Sequence, residues 1–158
     1  MTIWFDMDGT IADLYGVDNW LSKLRNYDSS PYEEAVPLIK FCYFARILHK
    51  LQQKGYNIGI LSWLSKDKDI HYAEMVEIAK REWLAKHLPS VEWDNIVIIP
   101  YGTPKENYCK CFEDILFDDE LQNRANWLSK GGIAFDEKNI VKILKKVLTS
   151  DCLYDIIE

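Results

Sequence analysis

Asp6 and Asp8 stand two positions apart at the end of the apolar run Ile3-Trp4-Phe5, and Gly9-Thr10 come directly after them. In an extended chain, residues two apart project to the same side, so both carboxylates face one way. Gly9 lets the backbone turn sharply behind them, because no Cβ stands in the way. Two neighbouring carboxylates repel each other and are costly to leave bare, which makes a divalent cation their natural partner.

The elements that must position these acids can be read from periodicity. Residues 2–5 read as a first strand, and a polar, aromatic-punctuated stretch runs from Asp13 to about Tyr32, with Trp20, Leu21 and Leu24 at helical spacing. From near Pro37 to Lys54 the apolar positions Leu38, Phe41, Phe44, Ala45, Leu48 and Leu51 repeat with helical period, and Gly55 is a natural stop. Tyr56 to Ser62 reads as a buried strand, and Lys68 to His87 as a long helix ending before Pro89. Further strands are predicted over Ile96–Ile99, Ile115–Phe117 and 132–135, with helices over about 121–130 and 138–149. In the last of these the lysines between Lys138 and Lys146 form a solvated face opposite Ile140, Val141, Ile143, Leu144 and Val147. Strands alternating with helices predict a single α/β domain over residues 1–158, a mainly parallel sheet with helices on both faces. The segment at about 14–36 is the one candidate for an inserted cap, and it is small. In such sheets, ligands bind beyond the carboxyl ends of the strands.

The residues at the strand ends form a consistent set. Asp6, Asp8 and Thr10 come after the first strand, Ser62 and Trp63 end the second, Gly102-Thr103-Pro104-Lys105 comes after the third, and Asp118-Asp119-Glu120 after the fourth. The run Asp6-Met7-Asp8-Gly9-Thr10 resembles motif I of the haloacid dehalogenase (HAD) superfamily, Asp-x-Asp-Gly-Thr, and the later residues resemble its remaining motifs in order, over roughly residues 2 to 135. The resemblance implies a three-layer Rossmann-like fold and a Mg²⁺-dependent phosphatase. Asp6 would attack phosphorus and form an aspartyl-phosphate that water then cleaves. Asp8 would protonate the leaving oxygen and later deprotonate the water. Mg²⁺ would be held by the Asp6 carboxylate, the Asp8 main-chain carbonyl and the acidic pair. The family pattern favours Asp119 as the direct ligand, with Asp118 acting through water or holding Lys105. The Ser62 hydroxyl and Trp63 amide would bond phosphoryl oxygens, and Lys105 would supply compensating positive charge.

Each role has a rival. Ser65 competes with Ser62, Lys110 lies near Lys105, and Asp13 reads as a loop or helix-start residue outside the site. Trp20, Trp83, Trp93 and Trp127 read as packing residues. Cys109-x-Cys111 has the look of half a metal site, but no second close pair accompanies it and His49, His71 and His87 are scattered, so reduced thiols are the expectation for all four cysteines.

Composition narrows the substrate. A net charge of −6 without a Lys/Arg block argues against a grip on long nucleic acid, yet leaves room for a nucleotide. With 48% apolar and 28% charged residues the chain reads as globular. No run approaches the ~20 apolar residues of a membrane span, and the N-terminus has no secretory pattern, so the expected compartment is the cytoplasm. The short connection from Lys105 to Asp118 is similar to the 5′(3′)-deoxyribonucleotidase branch of the superfamily, as is a small aromatic cap. That likeness implies a small phosphorylated substrate, a nucleoside monophosphate, with Tyr15, Trp20, Tyr27 or Tyr32 stacking on its base beside Trp63. Another small metabolite, a nucleic-acid end or a phosphoprotein, and a non-catalytic binding role are the alternatives. The tail Cys152–Glu158 is apolar enough to dock on the body or on a second subunit.

Overall fold

The structure is a computed structural model, and residues 1–150 are described. Five strands form one parallel sheet in the order β5-β4-β1-β6-β7, where β1 is Thr2–Phe5, β4 Asn57–Trp63, β5 Asn95–Ile99, β6 Ile115–Phe117 and β7 Ile133–Phe135. The fold is therefore the predicted α/β sandwich. β1 lies at the centre, so the loop that carries Asp6 and Asp8 opens at the middle of the sheet's carboxyl edge. The chain order reverses on either side of β1, the place where open α/β sheets take ligands.

Alternation along the strands divides the core. Ile3, Phe5, Ile58 and Ile60 face one layer, where they meet Phe44, Ile47 and Leu48 of α3 (Phe41–Gln53), Trp83 and Leu84 of α4 (Ile70–His87), and Ile143, Leu144 and Val147 of α6 (Ile140–Thr149). Trp4, Leu61 and Leu116 face the other, against Trp127 of α5 (Leu121–Ser129), with Ile99 of β5 and Cys109 in the same cluster. A Cβ at Gly59 would lie 2.6 Å from the Trp4 ring, so glycine is what admits that indole between the strands. Burying a side chain of this size contributes about 1.5–3 kcal/mol, which is why the uninterrupted apolar runs fix the two layers.

Between β2 (Ala12–Asp13) and β3 (Val36–Pro37), an antiparallel pair, the chain forms a 3-10 turn and the helices α1 (Trp20–Arg25) and α2 (Ser30–Glu34). Leu14, Tyr32, Tyr72, Val76 and Ala79 form a separate cluster that joins this segment to α4. Asp13 caps the 3-10 turn through Gly16 N at 3.0 Å, the helix-start role expected of it. The helix predicted from Pro37 begins only at Phe41, because Pro37 is drawn into β3 and Leu38 N donates to Ile11 O at 3.0 Å. Leu38 is accordingly exposed rather than part of an apolar stripe. Trp83 and Trp127 are buried and Trp93 packs on the core, as the sequence predicts. Among the described residues, no helix is long and apolar enough to cross a membrane. The tail Cys152–Glu158, for which the sequence suggests docking on the body or on a second subunit, lies outside the described residues.

Candidate functional site

The turn after β1 is made by its own backbone. Met7 O accepts from Thr10 N, Ile11 N and Ala12 N at 3.1, 3.0 and 2.9 Å, and Asp6 N donates to Phe117 O at 2.9 Å. Gly9 has φ 76°, and a Cβ there would lie 2.5 Å from Asp119 Oδ2 and 2.6 Å from the Tyr15 ring. Glycine is thus required twice, for the left-handed backbone and for the approach of Asp119.

Asp6, Asp118 and Asp119 come together: one carboxylate oxygen from each lies within 4.8 Å of the others. Lys105, fully buried on a 3-10 turn, reaches Asp6 Oδ1 at 3.0 Å and Asp118 Oδ2 at 2.6 Å. Asp118 is saturated, since Oδ1 also accepts from Glu120 N at 2.9 Å and Asn123 Nδ2 lies 3.2 Å from both oxygens. Asp119 is tied only through Oδ1, 3.3 Å from Thr10 Oγ1, and its Oδ2 has no bond among the described residues. The donor set suits Mg²⁺, which takes hard oxygen ligands at about 2.0–2.1 Å. Asp6 and Asp119 have oxygen to offer, whereas Asp118 would have to share with the lysine.

Burial and repulsion both act on Asp118 and Asp119. Burial, reinforced by Asp6, pushes Asp118 up to about 6 although Lys105 pulls the other way. Burial, then Asp6 and Asp118, pushes Asp119 up to about 7. Lys105 is raised: desolvation disfavours its charge, but Asp6 and Asp118 outweigh it. Three carboxylates around one ammonium leave an excess of negative charge, the condition a cation relieves.

Asp8 lies apart from that cluster, on a second lysine. Lys80 of α4 donates to Asp8 Oδ2 at 2.6 Å, to Ser62 Oγ at 3.0 Å and to Trp63 O at 2.6 Å. Burial raises the Asp8 carboxyl, with Lys80 opposing it and Asp6 reinforcing it. Sequence reasoning missed Lys80. Its signal was a cation inside the buried stripe Tyr72, Val76, Ala79, Trp83 and Leu84 of α4, where a solvated lysine has no reason to be. Asn123 and Arg124 were missed as well; Arg124 Nη1 donates to the carbonyls of Asp118 and Asp119, both at 2.7 Å, and fixes their loop.

A cavity of about 490 Å³ opens over Asp6, Asp8 and Asp119. Tyr15, Trp20, Tyr32, Trp63 and Tyr101 line it, so Trp20 is a wall of the cavity rather than a packing residue alone. Tyr27 is not among its walls and packs edge-on against Tyr72 at 5.4 Å. Ser62 is wholly buried and engaged by Lys80, while its rival Ser65 lines the cavity. Trp63 is held by its indole N–H on Thr103 O at 2.8 Å, with Lys105 Nζ 5.0 Å from its ring centre. Lys110 Nζ bonds Asn107 O at the exposed surface, away from the acids. Cys109 and Cys111 remain free thiols; burial raises both.

No protein-family model matches the sequence, and no curated protein matches it. Solved structures do resemble the fold. The D,D-heptose 1,7-bisphosphate phosphatase from B. bronchiseptica, complexed with magnesium and phosphate, superposes with a TM-score of 0.54 at 12% identity, covering 84% of this chain and 78% of the other. The D,D-heptose 1,7-bisphosphate phosphatase from Burkholderia thailandensis gives 0.51 at 13% identity, covering 83% and 74%. The chain shares the α/β architecture of these two phosphatases.

Proposed function

We propose that this chain is a Mg²⁺-dependent phosphomonoester hydrolase that works through an aspartyl-phosphate. The observation that carries the reading is the separation of the two loop acids: Asp6 faces the acidic cluster with Lys105, and Asp8 is held apart by Lys80. Two carboxylates in different surroundings are suited to two different roles. An Asp6 oxygen attacks phosphorus while the ester P–O bond breaks, and the departing oxygen takes a proton from Asp8. Water then attacks the same phosphorus, gives its proton to Asp8, and the bond to Asp6 breaks to release inorganic phosphate. Mg²⁺, held by Asp6, Asp119 and the Asp8 carbonyl with Asp118 beside them, would offset the charge of the phosphoryl group and draw it to the nucleophile. Lys105 fixes Asp6 and adds positive charge from below. The Trp63 amide and a hydroxyl, Ser62 or the cavity-facing Ser65, complete the phosphoryl contacts.

The short helices over residues 14–36 act as the cap in this reading. The aromatic walls, Tyr15, Trp20 and Tyr32 from that segment with Trp63 and Tyr101 opposite, favour a substrate with a planar ring, a nucleoside monophosphate. A second reading, a sugar bisphosphate, draws on the named activity of the two superposed phosphatases and on Arg25 and Lys66 among the cavity walls, two cations able to meet a second phosphate. Phosphate release is measured from nucleoside monophosphates, sugar mono- and bisphosphates and p-nitrophenyl phosphate, with Mg²⁺ and with EDTA. Metal-dependent turnover that vanishes in a folded Asp6→Asn variant supports the hydrolase. Turnover by Asp6→Asn at the wild-type rate refutes the covalent route, and preference among the substrates decides between the two readings.

A further inference from the structure

Lys80 has a chemistry that the hydrolase reading, on which this inference rests, does not yet use. An ammonium has three hydrogens and no lone pair. Here all three are spent, on Asp8 Oδ2, Ser62 Oγ and Trp63 O, in a side chain that is 1% exposed. The Tyr32 ring centre, 5.0 Å from Nζ, closes a further side. Lysine carries a large rotamer entropy and a strong hydration shell, so a helix does not bury one in an apolar stripe without compensation. A tie between α4 and β4 could be made by any donor. What this ammonium does in particular is hold one oxygen of Asp8, a residue that lines the cavity, and leave the other with no bond among the described residues.

We infer that Lys80 is the positioning residue of the proton-transfer step: it pins Asp8 by Oδ2 so that Oδ1 gives its proton to the departing ester oxygen and takes the next one from water. Ser62 and the Trp63 carbonyl are the other two legs of the tripod that holds the ammonium. Because Lys80 donates to Ser62 Oγ, the serine hydrogen must point elsewhere, which makes Ser62 a support for Lys80 as well as a candidate phosphoryl contact. The two lysines thereby divide the work across the sheet: Lys105 serves Asp6 from the α5 side, and Lys80 serves Asp8 from the α4 side.

Proton transfer matters in proportion to the basicity of the departing oxygen, and this separates positioning from mere support. With Mg²⁺ present, kcat/KM is measured on phenyl, p-nitrophenyl and 2,4-dinitrophenyl phosphate for the wild type, Lys80→Met, Asp8→Asn and the double variant. Lys80→Met is expected to lose about 100-fold on phenyl phosphate and less than about tenfold on dinitrophenyl phosphate, whose phenolate leaves unaided. Asp8→Asn should show the same gradient, and the double variant should be no worse than Asp8→Asn alone. Equal losses on all three esters, or losses that multiply in the double variant, overturn the inference while leaving the hydrolase standing. A wild type inactive on every ester with Mg²⁺ overturns both. Should Lys80→Met not fold, the ¹⁵Nζ resonance of Lys80 is tracked in the wild type. It should be observable through slow exchange and move when vanadate is added with Mg²⁺; a signal that does not move refutes the link to the reaction.

Discussion

Replacing Lys105 by methionine isolates the electrostatics of the acidic cluster. The change keeps the length of the side chain and removes the charge that lies 3.0 Å from Asp6 and 2.6 Å from Asp118. Breaking a buried ion pair from one side costs about 3–5 kcal/mol, because the remaining charge stays buried without compensation. At about 2–4 °C per kcal/mol for a chain of this size, the melting temperature should fall by about 6–20 °C in EDTA at pH 8. Two conditions ought to shrink that loss. Mg²⁺ supplies charge to the same carboxylates, so saturation with it narrows the gap between variant and wild type. Acid does so by protonation. Asp118 and Asp119 sit at about 6 and about 7 even with the lysine present, above their ordinary value of 3.8, and deleting the lysine raises Asp118 further. A carboxyl raised in the folded state favours folding at low pH and loses that contribution as pH climbs through the folded value. The variant's deficit should therefore be largest at pH 8 and smallest near pH 5. Calorimetry at both pH values, with and without Mg²⁺, checks this. A deficit that depends on neither proton nor metal would falsify the electrostatic account of Lys105.

The same geometry has other consequences. Gly9→Ala puts a methyl 2.5 Å from Asp119 Oδ2 and asks alanine to adopt φ 76°; we expect a loss of about 1–2 kcal/mol from the backbone and at least a tenfold weaker Mg²⁺ affinity by titration calorimetry. Unchanged affinity would show that Asp119 is not a ligand. Mg²⁺ should bind more weakly at pH 6 than at pH 8 and release protons as it binds, since Asp119 at about 7 must first ionise; equal affinities at both pH values would contradict this. Asp114 accepts from Thr2 N at 2.7 Å, Lys110 N at 2.8 Å and Cys111 N at 3.2 Å, so Asp114→Ala should cost about 1–3 kcal/mol in denaturant titrations without changing Mg²⁺ affinity. Burial alone would raise the Asp114 carboxyl, but those bonds outweigh it and hold it below 3.8. Its contribution is then complete above about pH 4 and disappears only as pH falls through the lowered value, so the variant's deficit should stay flat from pH 5 to pH 8.

The strands were legible because each is a short apolar run bounded by turn residues, and β6 matches its sequence-read bounds residue for residue. The helix ends were less so, for reasons local to each. The helix read from Pro37 lost its first turn to the β2–β3 pair, a tertiary pairing that periodicity does not encode. At α4, Asp69 accepts from Tyr72 N at 2.8 Å and sets the start two residues beyond Lys68. The acids of the site stood out because carboxylates at strand ends are conspicuous. Lys105 stood out by its place between the third and fourth strands. Lys80 did not: it lies in mid-helix, where a lysine is ordinarily a surface residue, and its one signal is its place within the stripe of Val76, Ala79, Trp83 and Leu84. The structure fixes that stripe against the core, where Val76 and Trp83 are buried.

That difference bears on how the site is built. A sheet whose central strand ends in two acids must neutralise them from somewhere, and helix layers lie above and below. The chain places one buried lysine in each direction, and Asp6 and Asp8 consequently have different chemical surroundings although they share a loop. Asp6 shares its ammonium with Asp118 beside an acidic cluster with oxygen to spare, the arrangement suited to a cation and a phosphoryl group. Asp8 has an ammonium of its own among the carboxylates, which leaves it one fixed and one free oxygen, the arrangement suited to handing a proton across. In the proposed reading, the assignment of nucleophile and proton carrier depends on the two layers as much as on the loop, and it is at Lys80 and Lys105 that the two roles can be perturbed separately.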